Sequence, residues 1–310
     1  PGFPVSALTI FRTFVAPAVR TAAGLPQPRT ATVTGKMAVR ERYSEGRTRF
    51  LPVGLLTDAA GETLVYPVDK GSGATTSLVE ADGVIEVDAD TEYLGAGETV
   101  TVQLFSPEVR PPTVLGIGED DPVLASLLDE LDRPRYLGLG TREGSRRFRE
   151  GIPDFVVATG PRAGEADGVQ VGSWEREWGL VVPQGNPEDI NGLESLVETD
   201  VRFVNRNRDS GLRDSLEAAI DDLAAAEGED VDRHDLTESI TGFDFAVRAH
   251  ESPARRVAAG DADVGLGLRA TADQLGLDFV SLGWEPVVVS VAEDRREKPG
   301  VEELESVLDE

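Results

Sequence analysis

Apolar positions along this chain change their period twice. Between 7 and 23 they recur at helical spacing: Leu8, Phe11, Val15, Ala18 and Ala22 share one stripe, with Ser6 placed to cap the helix and Gly24 to stop it. Pro17 lies inside that stripe and predicts a kink, because proline has no N–H and crowds the preceding turn. From 30 to 105 the alternation becomes β-like. Strands are predicted at 31–39, 49–56, 63–67, 84–87 and 99–105, separated by turns such as Asp58-Ala59-Ala60-Gly61. Short strands at this spacing predict a small all-β barrel or sandwich.

Three prolines in Ser106-Pro107-Glu108-Val109-Arg110-Pro111-Pro112 mark a stiff linker, and the rhythm changes after it. Strands at 114–117, 136–139, 155–158, 201–204, 264–268 and 279–282 alternate with helices at 122–131, 143–149, 212–226 and 253–259. This predicts a parallel sheet with helices on its faces, long enough for two lobes around a ligand cleft. The expected organisation is a tail at 1–25, a β domain at 26–106, a linker at 107–113 and a two-lobed α/β domain at 114–310.

Charge narrows the partners. The 310 residues carry 57 acids and 30 bases, a formal net charge of −27, which repels nucleic acid and anionic membranes. Lysine occurs only at Lys36, Lys70 and Lys298, so every other base is arginine. A cysteine-free, Arg-over-Lys acidic chain of this kind looks like a protein of a high-salt cytoplasm, where most carboxylates coat the surface. With no cysteine and two histidines, a disulfide framework and a multi-histidine zinc site are excluded, and no metal site is read from the chain. His234 and His250 lack a partner at ligand spacing and read as structural or surface residues. No apolar run approaches the roughly 20 residues of a membrane span, and no basic-apolar signal-peptide pattern is expected from these residues. The chain opens at Pro1 in mid-motif, and a fragment or processed product is expected.

The α/β part repeats one device, a strand followed by a glycine-containing polar loop and a helix start. Instances are Gly116-Ile117-Gly118-Glu119-Asp120-Asp121, Gly138-Leu139-Gly140-Thr141-Arg142-Glu143-Gly144 and Asn205-Arg206-Asn207-Arg208-Asp209-Ser210-Gly211-Leu212-Arg213. Such loops lie at the carboxyl ends of strands, where free N–H groups and the helix dipole favour an anion. Any α/β sheet also needs strand–helix turns of Gly and Asp, so one loop alone specifies little. The glycines at 138, 140 and 144 are one residue too widely spaced for a dinucleotide fingerprint, and no Walker A sequence occurs. In the third loop Arg206, Arg208 and Arg213 bracket Ser210-Gly211; guanidinium, hydroxyl and backbone N–H together suit a tetrahedral oxyanion. Glu119, Asp120 and Asp121 would instead repel an anion if all were ionised and faced the cleft. The turn Gly260-Asp261-Ala262-Asp263 reads as structural. In the β part, Lys70-Gly71-Ser72-Gly73-Ala74-Thr75-Thr76-Ser77 is either a flexible hairpin or an anion-contacting loop helped by Arg47 or Arg49.

These residues resemble a known family. Pro1-Gly2-Phe3-Pro4-Val5-Ser6-Ala7 is similar to the P-G-N-P-V-S-A motif of molybdopterin molybdenumtransferases of the MoeA/gephyrin type. Gly46-Arg47-Thr48-Arg49-Phe50-Leu51 resembles their G-R-x-E-F-x strand, and Gly71-Ser72-Gly73-Ala74-Thr75-Thr76-Ser77-Leu78 with Ala81-Asp82-Gly83-Val84-Ile85 resembles G-S-G-x-L-S-S-L…A-D-G-L-I. Residues 114–292 resemble a periplasmic-binding-protein-like module fused to such enzymes, through Phe203-Val204-Asn205-Arg206, Ser210-Gly211, Gly185-Asn186-Pro187 and residues 260–267.

The resemblance implies molybdenum cofactor biosynthesis: insertion of molybdate into adenylated molybdopterin with release of AMP, in a Mg²⁺-dependent step. Residues 1–25 would then be the tail of an upstream α/β molybdopterin-binding domain. Substrate-facing positions carry over to Pro1, Pro4, Ser6, Arg47, Thr75 and Thr76, and the oxyanion-binding set to Gly118, Asp120, Thr141, Ser210, Gly211 and Arg213. Phe3 stands where the family has Asn, and Thr75-Thr76 where it has Ser-Ser, which keeps the hydroxyls. Gly118-Glu119-Asp120-Asp121 stands where the module would have Gly-Ser-His-Asp, and Gly211-Leu212-Arg213 where it would have Gly-Thr-Arg. No catalytic set is complete in this chain, which alone is expected not to catalyse insertion; Mg²⁺ and molybdate belong to the full-length family enzyme. The second domain would hold molybdate, tungstate or the pterin, and the family implies a homodimer. Two other readings are a non-catalytic oxyanion sensor or storage module, and a two-lobed domain that has lost its ligand and serves as a structural partner.

Overall fold

Two units make up the chain in the computed structural model, Pro1–Thr113 and Val114–Glu310, with residues 7, 10–27, 31–42, 46–68, 81–227 and 232–309 described. The first begins with the predicted helix. A π-helical turn, Phe11–Val15, leads into α1, Ala16–Ala22, with Pro17 in the first turn of α1. Proline is tolerated there because that N–H lacks an intrahelical partner, and the irregularity before it takes the form of a widened π turn. Gly24 takes φ +66° just past the helix, where the left-handed region suits glycine. The stripe is not buried as its periodicity predicts: Phe11 and Val15 are 54% and 41% exposed, and no residue of either turn is buried. Instead Arg12 ties the segment down, donating to the Phe105 carbonyl at 2.5 Å and stacking on the Phe105 ring.

Seven strands follow: β1 Thr32–Met37, β2 Glu41–Arg42, β3 Arg49–Thr57, β4 Thr63–Pro67, β5 Gly83–Val87, β6 Tyr93–Leu94 and β7 Thr99–Leu104. Five close into a barrel in the order β1-β4-β3-β5-β7, while β2 and β6 form a separate ribbon. Closure leaves no free edge among the five. Alternate residues face inward, so Met37, Leu51, Val53, Leu55, Val65, Ile85, Val100 and Val102 form the barrel's core. The Tyr66 ring lies across Gly54 on the neighbouring strand; a Cβ at Gly54 would come within 2.3 Å of it. Asp82 of the Ala81-Asp82-Gly83 motif is buried and accepts from Leu55 N at 2.7 Å, so the motif's acid holds a strand.

The second unit contains β8 Val114–Gly118, α2 Pro122–Leu128, β9 Pro134–Gly138, α3 Thr141–Arg149, β10 Phe155–Thr159 and β11 Val169–Val182. After these come α4 Leu193–Glu198, β12 Phe203–Arg206, α5 Gly211–Glu227, α6 Arg233–Ser239, β13 Ala246–Val247, α7 Ser252–Ala258, β14 Val264–Leu268, α8 Arg269–Leu275, β15 Asp278–Val291 and α9 Pro299–Leu308. One sheet runs β13-β12-β14-β11-β15-β10-β8-β9. It is mixed, which corrects the parallel expectation: β8, β9, β10 and β12, β13, β14 form parallel pairs, but β11 and β15 are antiparallel to each other and to their neighbours.

Those two 14-residue strands build two lobes. Val169, Val171 and Trp174 of β11 join Val287, Val289 and Val291 of β15 in one core with Phe155, Leu124, Val301 and Leu304. Further along, Trp178, Leu180 and Val182 join Val280 and Leu282 in a second core with Phe203, Leu216, Ile220 and Leu266. Each strand thus serves the first lobe with one half and the second with the other. In the first lobe Asp154 is fully buried and accepts from Leu115 N at 2.8 Å, from Lys298 Nζ at 2.6 Å and from Arg295 at 3.3 Å. No helix among the described residues is long and apolar enough to cross a membrane.

Trp174, Trp178 and Trp284 all lie in this unit, so tryptophan fluorescence reports its unfolding. Asp154→Ala removes the acceptor of two buried cations and is expected to lower the unfolding free energy by about 3–5 kcal/mol in urea titration. A loss below about 1 kcal/mol would show that the cluster does not hold the lobe together.

Candidate functional site

The carboxyl ends of the parallel strands of both lobes point at each other. Glu119 follows β8, Thr141 opens α3 after β9 and Thr159 ends β10; from the second lobe, Arg206 ends β12 and Ser210-Gly211 open α5. Their meeting point is the Glu119 carboxylate, which is 1% exposed. Its Oε1 accepts from Ser210 Oγ at 2.9 Å and from Arg206 Nη2 at 3.0 Å, and its Oε2 from Gly211 N at 2.7 Å. Thr141 Oγ1 lies 3.5 Å from Oε2 and accepts from Thr159 N at 3.0 Å. Helix α5 therefore starts on a carboxylate, where its dipole and first N–H are most favourable to negative charge. Glycine is required at 211, because a Cβ would meet Thr159 Oγ1 at 2.3 Å and Thr159 O at 2.4 Å.

A second buried cluster sits where β11 and β15 pass between the lobes. Arg176 faces Glu285 across the strands and binds its Oε1 through Nε at 2.8 Å and Nη2 at 2.6 Å. Arg176 Nη1 also reaches Asp120 O and Asp121 Oδ2, and Nη2 reaches Thr159 Oγ1. The other Glu285 oxygen accepts from Ser215 Oγ on α5. Burial alone would pull the Arg176 guanidinium down; Glu285, Glu119 and Asp121 outweigh it, and its pKa stands above the usual value. Arg206 goes the other way: burial dominates and lowers it, although Glu119 opposes the shift. Asp214 on α5 closes a third bridge, paired with Arg142 and, at 3.3 Å, with Arg162 of the first lobe.

Of the sequence-predicted oxyanion set, Thr141, Ser210 and Gly211 come together. Gly118 lies beside them, its carbonyl accepting from Gly140 N at 2.8 Å. The Asp120 carboxylate is turned aside, 3.8 Å from His250. Arg213 does not join: its Nε binds Glu217 at 2.7 Å, its Nη1 the Phe243 carbonyl, and its guanidinium lies 4.0 Å from the Phe243 ring centroid. With Arg142, Arg208 and Arg233 it lines a neighbouring cavity of about 550 Å³. Arg208 is exposed there, and no ion-pair partner for it occurs among the described residues. Arg47 belongs to the first unit and is exposed; Pro1, Pro4, Ser6, Thr75, Thr76 and the loop 70–77 lie outside the described residues. No cluster of three or more His, Asp or Glu able to hold a metal occurs among the described residues. Glu119 differs most from the sequence expectation, since its carboxylate is buried among donors of the second lobe rather than facing an open cleft. Sequence reasoning also missed Arg176, Glu285, Thr159 and Ser215. The signal was present in Trp174-Glu175-Arg176-Glu177-Trp178, a charged centre within an apolar strand.

Fold and site define a small barrel joined to a curled α/β domain of periplasmic-binding-protein type. Residues 34–105 match the MoeA C-terminal region, domain IV, and residues 158–309 match the PBP superfamily domain. One segment of the chain is thus similar to the MoeA C-terminal region and another to PBP-superfamily domains, a likeness to proteins of molybdenum cofactor biosynthesis on the one side and to ligand-binding proteins on the other. The uncharacterized protein YvgK of Bacillus subtilis (strain 168) is 31% identical over 107 residues, 34% of this chain and 32% of that protein, so the chain spans less than a third of this relative. The crystal structure of the molybdopterin biosynthesis moeA protein from Pyrococcus horikoshii OT3 is 27% identical with a TM-score of 0.29, covering 34% of this chain and 26% of that one. The sulfate-binding protein SubI from Mycobacterium tuberculosis H37Rv is 12% identical with a TM-score of 0.47, covering 63% of this chain and 79% of that one.

Arg176→Ala leaves the Glu285 charge buried without its cation and is expected to cost about 3–5 kcal/mol in chemical denaturation. Replacing both partners, Arg176→Met with Glu285→Leu, should recover most of that loss, because the desolvation of two charges is then removed as well.

Proposed function

We propose that this chain is the C-terminal portion of an enzyme of molybdenum cofactor biosynthesis that inserts molybdate into adenylated molybdopterin, and that its α/β domain is the oxyanion-binding module of that enzyme. The match of residues 34–105 to the MoeA C-terminal region supports the pathway. The observation that carries the oxyanion reading is the convergence of the Arg206 guanidinium, the Ser210 hydroxyl and the Gly211 N–H on a single carboxylate between two lobes. These are the donors an oxyanion demands, two of them neutral and one charged, in a site closed to water. The adjoining cavity mixes Arg142, Arg208, Arg213 and Arg233 with Glu217, Glu238 and Asp244, so Arg208 alone of its four arginines offers a guanidinium without an ion-pair partner among the described residues.

In this reading Pro1, Pro4, Ser6, Arg47, Thr75 and Thr76 are substrate-binding residues, as the motif resemblance implies, and the protein's contribution to the exchange of oxygen for dithiolene sulfur on molybdenum is positioning and charge compensation. Molybdate is substrate and cargo here. The α/β domain holds it, or its tungsten counterpart, between Arg206 and the start of α5.

The test is calorimetric titration of molybdate, tungstate and sulfate into the chain at high salt. Saturable binding is expected, weakened about tenfold by Ser210→Ala through loss of one hydrogen bond to a charged ligand. Arg213→Ala, whose guanidinium is engaged by Glu217 and Phe243, should leave that binding in place. Loss with Arg47→Ala alone would move the oxyanion to the barrel, and no saturable heat with any of the three anions, from the wild type and from Glu119→Ala alike, would overturn the oxyanion reading.

A further inference from the structure

Glu119 belongs to the first lobe, yet three of the donors that hold it belong to the second. Its backbone is fixed from both sides: Glu119 N donates to Val157 O at 3.0 Å, and Tyr136 Oη donates to Glu119 O at 2.6 Å. The side chain is thereby aimed across the cleft from an anchored strand end, and Asp121, two residues on, is itself pinned as the cap of α2 by Val123 N and Leu124 N. A carboxylate so placed does for the second lobe what a bound anion does: it fills the first N–H of α5, the Ser210 hydroxyl and one Arg206 nitrogen, and draws the lobes together.

The fit is incomplete in an informative way. Arg206 is 2% exposed, and its buried Nε has no hydrogen-bond partner. A carboxylate has two oxygens, and both are already shared among Ser210, Arg206, Gly211 and Thr141. The seat therefore offers one more buried donor than Glu119 can satisfy, whereas a tetrahedral oxyanion brings four oxygens.

We propose that Glu119 is a built-in ligand of this domain, an intramolecular carboxylate that occupies the oxyanion seat and closes the lobes, so that a free tetrahedral oxyanion binds only by displacing it. The proposal rests on the oxyanion reading of the site given above. A tethered carboxylate competes at a high effective concentration, and the apparent affinity for a free anion falls with the fraction of molecules in which the seat is vacant.

The experiment compares the whole chain with Glu119→Ala and with the near-isosteric Glu119→Gln. Sodium sulfate and sodium molybdate are titrated calorimetrically, and amide hydrogen exchange is followed without ligand. Removing the tethered acid is expected to tighten binding of both anions at least tenfold, and adding Ser210→Ala to Glu119→Ala should abolish the gain. Without ligand, Gly211 N loses its acceptor and should exchange at least tenfold faster in Glu119→Ala than in the wild type. Unfolding midpoints identify any variant that has not folded, and Glu119→Gln, which keeps the volume and one acceptor oxygen and removes the charge, then supplies the affinity comparison. Faster exchange at Gly211 with no oxyanion bound by any variant would uphold Glu119 as the closing group and overturn the oxyanion reading alone. Unchanged exchange together with no gain in affinity would overturn the present proposal, and saturable binding by the wild type would then leave the oxyanion reading standing.

Discussion

Arg176 and Glu285 meet where the two 14-residue strands leave one hydrophobic core and enter the other, and the hydrogen bonds of this buried pair tie elements of both lobes to one point. Two charges taken out of water are tolerated only with close geometry and with their remaining hydrogen bonds filled. The structure meets that demand with Asp121, Asp120 O and Thr159 on the arginine and Ser215 on the glutamate. Those satisfying groups come from the turn between β8 and α2 and from β10 in the first lobe, and from α5 in the second. Fulfilling one pair's hydrogen bonds therefore fixes the positions of elements on both sides of the cleft.

The interlobe contacts then follow as a consequence of that arrangement. With α5 held through Ser215, its N-terminus abuts Thr159 closely enough that only glycine fits at 211, and the first N–H of the helix needs an anion. Glu119 supplies it, while Arg142 and Arg162 answer Asp214 with the opposite polarity. Each lobe thus offers charge that the other compensates, which is an economical way to make two independently packed halves close in a chain so rich in acids. A ligand that enters such a cleft changes which group satisfies the buried donors rather than creating a new set of them.

The first unit is organised by closure instead of charge. Five short strands have no edge left among them, and their inward residues form one apolar core. Asp82 is the polar exception, spent on the backbone of β3, which shows that a motif residue shared with an enzyme family can be structural in its immediate contacts. The helical segment before the barrel remains apolar and exposed along its length, held by Arg12 on Phe105 rather than by burial.

What the sequence determined by itself was local. The barrel strands were legible because β1 and β7 alternate exposed and buried residues and β3, β4 and β5 are short apolar runs between turn residues, and the loops bearing Thr141, Ser210 and Gly211 because strand, glycine and helix start follow in order. The ribbon of β2 and β6 was not, since two residues carry no period. Nor were β11 and β15 at full length, because a charged centre between apolar halves reads as a break until the partner charge is seen across the sheet. The role of Glu119 was decided by tertiary structure alone. Next to Asp120 and Asp121 it reads as a source of repulsion, and its attraction comes from Arg206, 87 residues away, and from the start of α5, brought against it only when the lobes close. Sequence adjacency sums the charges that are near in the chain, whereas burial and hydrogen-bonding depend on those that are near in space.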